Sequence, residues 1–111
     1  MAFHYQLAAC CADGTITAMA VADDDGVPLA QAGALDVCRD VLGRVAAVAS
    51  RIRAIEWTVL GAGRPWEVSM RKIETDAGDL VVCAIGGGAA DRVRAIERAA
   101  AGLIRIVARA D

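Results

Sequence analysis

Apolar and polar residues recur along this chain with two different periods, and the switches between them mark its elements. The longest pattern is residues 34–55, ALDVCRDVLGRVAAVASRIRAI. Leu35, Cys38, Leu42, Val45, Ala49 and Ile52 recur at spacings of three and four, which predicts one helix of about six turns. Val37, Val41, Val48 and Ile55 fall beside that stripe, while Asp36, Arg39, Asp40, Arg44, Ser50 and Arg51 fall opposite. At about 100° per residue the apolar arc spans roughly 160°, where one packing face needs roughly 100°. The helix has more apolar surface than a single sheet covers, which predicts a second protein chain along its flank.

The other elements follow in order. Residues 3–11 predict about two helical turns with Phe3, Leu7, Cys10 and Cys11 on one side, too short to be stable alone. Thr15, Ile16, Thr17 and Val21 predict a strand over residues 15–22, and Asp23-Asp24-Asp25-Gly26 a hairpin turn. Residues 27–31 return as a second strand, which Pro28, lacking an N–H, places at a sheet edge. A third strand over residues 56–60 carries Trp57 and Val59. Residues 66–75 alternate, with Trp66, Val68 and Met70 on one face and Glu67, Ser69 and Arg71 on the other. The run LVVCAI at residues 80–85 has no polar face, the mark of a central strand covered on both sides. After Gly86-Gly87-Gly88, residues 91–110 predict a last helix. Its apolar stripe is Val93, Ile96, Ala100, Leu103, Ile104 and Val107, with Arg94, Glu97, Arg98, Arg105 and Arg109 facing away. The order predicts an α+β fold, an α/β/α sandwich around a five-stranded antiparallel sheet.

Composition narrows the function classes. At 111 residues the chain fits one domain. A net charge of −2 gives no reason to expect nucleic acid or an anionic membrane as partner. No apolar run in the sequence approaches the ~18 residues of a membrane span, and no basic segment precedes an apolar one at the N-terminus. Cys10, Cys11, Cys38 and Cys83 lack a regular spacing and read as reduced, mostly buried thiols of a cytoplasmic protein.

Several stretches resemble chemical motifs and fall short of them. Strand–Gly-Gly-Gly–helix could bind phosphate through free N–H groups, but Asp91 stands where a dinucleotide fingerprint has its third glycine. No Gly-Lys-Ser or Gly-Lys-Thr follows, so it is not a P-loop. Asp23-Asp24-Asp25-Gly26 resembles part of a calcium loop, but Val21 and Ala32 occupy positions that need acids. His4 is the single histidine, which leaves no zinc spacing and no hydrolytic triad. The chain therefore reads as non-enzymatic, with no cofactor or metal site. Trp66 is expected between sheet and helix; Trp57 suits either the core or an interface.

The hairpin AMAVADDDGVPLAQAG, the long helix, the strands ending WEVSMRKIETDAGDLVVCAIGGG and the final amphipathic helix resemble the Roadblock (dynein light-chain roadblock) domain family, in its bacterial, mutual-gliding-protein-B-like form. The resemblance covers residues 15–110 of a single domain spanning 1–111, with residues 1–14 as a short N-terminal helix. It implies the profilin-like order αββαβββα, here with a shortened first helix. It also implies a homodimer that pairs third strands edge to edge and long helices side by side. On this chain that interface is Val37, Val41, Val48, Ile55, Trp57 and Val59. Family members are non-catalytic adaptors or regulators of Ras-like small GTPases, often alongside other Roadblock subunits, in roles such as bacterial polarity or motility. The surface expected to meet such a partner, read from the helix's own polar face, is Arg39, Asp40, Arg44 and Arg51. Where family members stimulate GTP hydrolysis the GTPase supplies most of the chemistry, so no arginine here is assigned as a finger. A structural scaffold with no GTPase contact and a small-ligand-binding domain are the alternatives.

Overall fold

The computed structural model describes residues 2–12, 15–25, 27–34, 36–39, 41, 54–61, 63–76 and 78–109. The elements are α1 (Ala2–Cys11), β1 (Ala18–Asp23), β2 (Pro28–Gly33), a helical segment α2 at residues 36–39 and 41, β3 (Ala54–Gly61), β4 (Arg64–Thr75), β5 (Gly78–Ile85) and α3 (Ala89–Arg109). The five strands form one antiparallel sheet in the order β2-β1-β5-β4-β3. Helices lie on both of its faces, as the apolar run of β5 requires.

Local chemistry sets the first hairpin. The Asp23 carboxylate oxygen Oδ1 accepts from the backbone N–H of Asp25 at 3.0 Å and of Val27 at 2.9 Å, closing an Asx turn. The Asp23 N–H donates to the Val27 carbonyl at 3.0 Å. A register shift between Val21 and Ala22 then brings Ala22 opposite Pro28. Pro28 sits on an end strand, where its missing N–H leaves no ladder bond broken.

Strand alternation divides the core in two. Ala18, Ala20, Val59, Val68, Met70, Val81, Cys83 and Ile85 face α2, where they meet Val37, Cys38 and Val41. Met19, Val21, Ile73, Leu80, Val82 and Ala84 face α1 and α3, where they meet Leu7, Cys10, Ala95, Ile96, Ala99 and Leu103. Trp66 is half-buried against the α2-side cluster, with the Arg64 guanidinium 4.2 Å from its ring centroid.

Two features differ from the periodicity. Residues 54 and 55 belong to β3, not to the long helix: Ala54 pairs with Arg71 and Ile55 with Met70. Ile55 continues the helical spacing of Val48 and Ile52 and equally begins the strand spacing of Trp57 and Val59. The ladder to β4 decides between them. The buried side of α3 is also turned from the expected stripe. Arg92, Ala95, Ile96, Ala99, Gly102 and Leu103 are buried, while Val93 and Ile104 are 43% and 47% exposed. Small residues cause the turn. Ala95, Ala99 and Gly102 let α3 pack against α1 and the sheet, and the end of the Gln6 side chain lies over Gly102.

Burial also fixes the thiols. It pushes the Cys38 thiol from its ordinary 9.0 to about 11, and that of Cys83 to about 12. The Cys38 Sγ–H lies 3.6 Å from the Met19 carbonyl and 3.7 Å from that of Ala32. At pH 8 roughly one Cys38 in a thousand is thiolate. A thiol reagent at pH 8 should therefore titrate half-buried Cys11 quickly in the native protein, and Cys10, Cys38 and Cys83 only after unfolding. The unfolded chain loses its thiol protons before the folded one does, so stability should fall as pH rises above about 9. Fast native labelling of Cys38, located by peptide mapping, would contradict this core.

Candidate interaction surfaces

β3 ends the sheet. Among the described residues it pairs only with β4, from Ala54 opposite Arg71 to Gly61 opposite Arg64. A strand that ends a sheet is a template for another strand. The six residues assigned to a dimer seam divide in this setting. Val37, Val41 and Val59 are buried in the chain's own core against the sheet. Ile55 is half-buried against the same cluster. Trp57 stands in β3 opposite Val68, but its side chain, like the whole of Val48, lies outside the described residues. Of the four partner-facing residues Arg39 is exposed on α2; Asp40, Arg44 and Arg51 lie outside the described residues.

The strand–glycine–helix turn has a purpose that the sequence reading missed. Gly86 and Gly87 take φ of 80° and 68°. A Cβ at Gly86 would strike the Thr17 hydroxyl, and one at Gly87 the Thr15 carbonyl. In this shape both glycine carbonyls turn toward Arg92, one turn into α3. Arg92 is 4% exposed. Its Nη1 donates to Gly87 O at 2.7 Å and Gly86 O at 3.3 Å, and its Nε donates to the Ser69 hydroxyl at 2.9 Å. Ser69, itself buried, passes its own proton toward Glu56 Oε1 at 3.2 Å. Glu67 Oε2 lies 3.6 Å from Nη1 and supplies the countercharge.

This polarity is opposite to that of a phosphate cradle. The turn offers carbonyls to a cation, and the Gly86 N–H is already donated to Glu67 O at 2.8 Å. The missed signal is an arginine on a buried helical spacing: residues 92, 96, 99 and 103 share one stripe. Asp23, Asp24 and Asp25 do cluster, with carboxylate oxygens within 4.8 Å, and the two backbone bonds to Asp23 account for that closeness.

The fold has a known counterpart. The chain matches Myxococcus xanthus MglB with a TM-score of 0.70 at 12% identity, covering 96% of this chain and 95% of that one. At that identity the likeness establishes the fold, an MglB-like Roadblock sandwich. No protein-family model matches the chain, and no curated protein matches it in sequence. Among the described residues no helix is long and apolar enough to cross a membrane.

Arg92 gives the cleanest test of the site's architecture. Arg92→Met leaves two glycine carbonyls and Ser69 short of a partner, and should lower unfolding free energy by about 2–4 kcal/mol. Arg92→Lys should recover less than half, because one ammonium cannot span Ser69 and both carbonyls. Arg94→Met, which removes an exposed pair with Asp91, should cost under about 0.5 kcal/mol. Urea denaturation of the three variants measures each. Equal midpoints for Arg92→Met and wild type would remove Arg92 from this role.

Proposed function

We propose that this chain is a non-catalytic, homodimeric adaptor that binds a Ras-like small GTPase or another Roadblock-type subunit in the bacterial cytoplasm. The observation that carries the reading is the end position of β3 in an MglB-like Roadblock sandwich. The sequence resemblance supplies the partner class, and residues 15–110 form the domain core in this reading. Pairing two β3 edges satisfies backbone groups on both chains and removes an aggregation hazard. Because Val37, Val41 and Val59 hold the chain's own core, the seam rests on the β3 edge with Val48, Ile55 and Trp57. Arg39, Asp40, Arg44 and Arg51 form the partner-facing side of the long helix.

The two roles separate experimentally. Val41→Glu should unfold the chain, because it leaves an unpaired carboxylate in the core at a cost of several kcal/mol. Val48→Glu should instead yield a folded monomer by sedimentation, with wild-type circular dichroism. A Val48→Glu dimer would place the seam elsewhere.

For the partner, binding to the small GTPase encoded nearest the gene is measured in its GDP and GTP-analogue forms. Arg44→Glu combined with Arg51→Glu should weaken it at least about tenfold, mostly through the association rate, with the dimer intact. Unchanged affinity would reject this surface. Absence of binding in either nucleotide state would favour the scaffold reading.

A further inference from the structure

α1 is an outer helix with the composition of an inner one. Residues 2–12 contain no Asp, Glu, Lys or Arg. One side of α1 enters the core through Leu7 and Cys10. On the other side Ala8, Ala9 and Ala12 are exposed, and Tyr5 is 73% exposed. A surface helix ordinarily carries charge on its outer face, and a helix apolar all round is ordinarily covered all round. α3 lies alongside and sorts its charges by flank. The Gln6 side-chain amide donates to the Arg98 carbonyl at 3.4 Å. Arg94 and Arg98 border a hollow of about 90 Å³ together with Cys10 of α1 and with Thr15. Arg105 is exposed further along the same stripe of α3. Glu97 stands on the other flank, toward Arg71 and Glu74 of β4. Among the described residues Asp91 is the one carboxylate beside the hollow, and it pairs with Arg94. Neither Arg98 nor Arg105 has an ion pair among the described residues. The acidic turn of Asp23, Asp24 and Asp25 is remote from this end: Asp23 lies opposite Leu80 at the far end of β1, while the Thr15 carbonyl abuts Gly87.

We propose that the outer face of α1 and α3 is a docking surface for an anionic phospholipid membrane, with a headgroup phosphate at the hollow between Arg94 and Arg98 and the uncharged side of α1 against the lipid. Two features on one face select this partner. An uncharged helix bearing a projecting tyrosine suits the boundary between headgroups and acyl chains. A row of arginines along its margin suits the phosphates at headgroup depth. The two helices pack on the same sheet face and against each other, so their outer sides meet the same plane. The net charge of −2 does not oppose this, because a surface senses the charges within about 10 Å of it more than the sum over the chain.

This face lies across the sheet from α2. It can therefore rest on a membrane while α2 and the β3 edge are engaged, and the inference stands apart from the proposed GTPase contact. In the proposed dimer, on which this one step rests, two β3 strands continue a single sheet and both copies turn this face to the same side, so a weak contact is doubled.

The probe is a vesicle of phosphatidylcholine containing phosphatidylglycerol, and co-sedimentation of the full chain measures binding. Binding to these vesicles and not to pure phosphatidylcholine is expected, weakening as salt rises. Arg98→Glu with Arg105→Glu, at exposed positions and checked for fold by circular dichroism, should weaken it at least about tenfold. Tyr5→Ser, which changes no charge, should weaken it about threefold or more. Arg44→Glu with Arg51→Glu should alter it less than about twofold, which separates failure here from failure of the GTPase reading. No binding to the anionic vesicles overturns the proposal. Equal weakening by Arg44→Glu with Arg51→Glu also overturns it, because net charge and not this face would then be responsible. Binding indifferent to Tyr5→Ser would overturn it in favour of an acidic protein surface. Inorganic phosphate that saturates the hollow, seen in amide chemical shifts of α1 and α3, without vesicle binding would make a free anion the ligand and overturn it too.

Discussion

Arg92 carries a positive charge into the layer between the sheet and α3, and much of the nearby geometry answers to it. A guanidinium there needs acceptors on several sides. Two come from Gly86 and Gly87, whose carbonyls reach it only because the turn adopts left-handed φ. That turn, in turn, fits only where Thr15 and Thr17 leave no room for a Cβ. A third acceptor is the Ser69 hydroxyl, which requires β4 to present its odd-numbered residues to α3. The ladder enforces that parity: Ser69 lies opposite Ala84 on one side and Glu56 on the other. One buried cation thus ties together the start of α3, the pleat of β4 and the outward-facing carboxylate of β3.

Much of this frame was legible in the sequence, because it rests on patterns that one residue cannot change. The LVVCAI run could only be a strand covered on both faces, and β5 sits between β1 and β4. Pro28 could only join an edge, and β2 is one. What escaped were places where two patterns overlapped or a neighbour decided. Ile55 satisfied a helical and a strand period at once, and only the partner strand broke the tie. Arg92 belonged to neither of the two sides into which the helical spacing sorted the last helix. Its spacing from Ile96, Ala99 and Leu103 marked it as buried, but no local feature announced the carbonyls that receive it. The face of α3 was misjudged because large apolar residues were weighted over small ones. Ala95, Ala99 and Gly102 contribute little hydrophobicity and decide the packing by what they lack.

That choice of small residues shapes the opposite side of α3 as well. Close approach to α1 turns Ala95, Ala99 and Gly102 inward and leaves Val93 and Ile104 at the surface. α1 packs over β1 and β2, and α3 over β4 and β5, so neither helix covers β3 on this face. A hollow beside β3 is thus a consequence of how tightly the two helices pack.

The sandwich therefore offers two unlike surfaces separated by one sheet. On the α2 side the core is apolar across its width, and the sheet ends there in the backbone of β3. On the α3 side a hollow beside β3 is lined by Glu56, Ser69, Arg71, Val93 and Ile96. Glu56 belongs to both: its residue lies in the edge strand, and its carboxylate lines the hollow while receiving the Ser69 hydroxyl. An edge that pairs with a second chain would hold β3 in place, and with it the carboxylate on which that wall of the hollow depends.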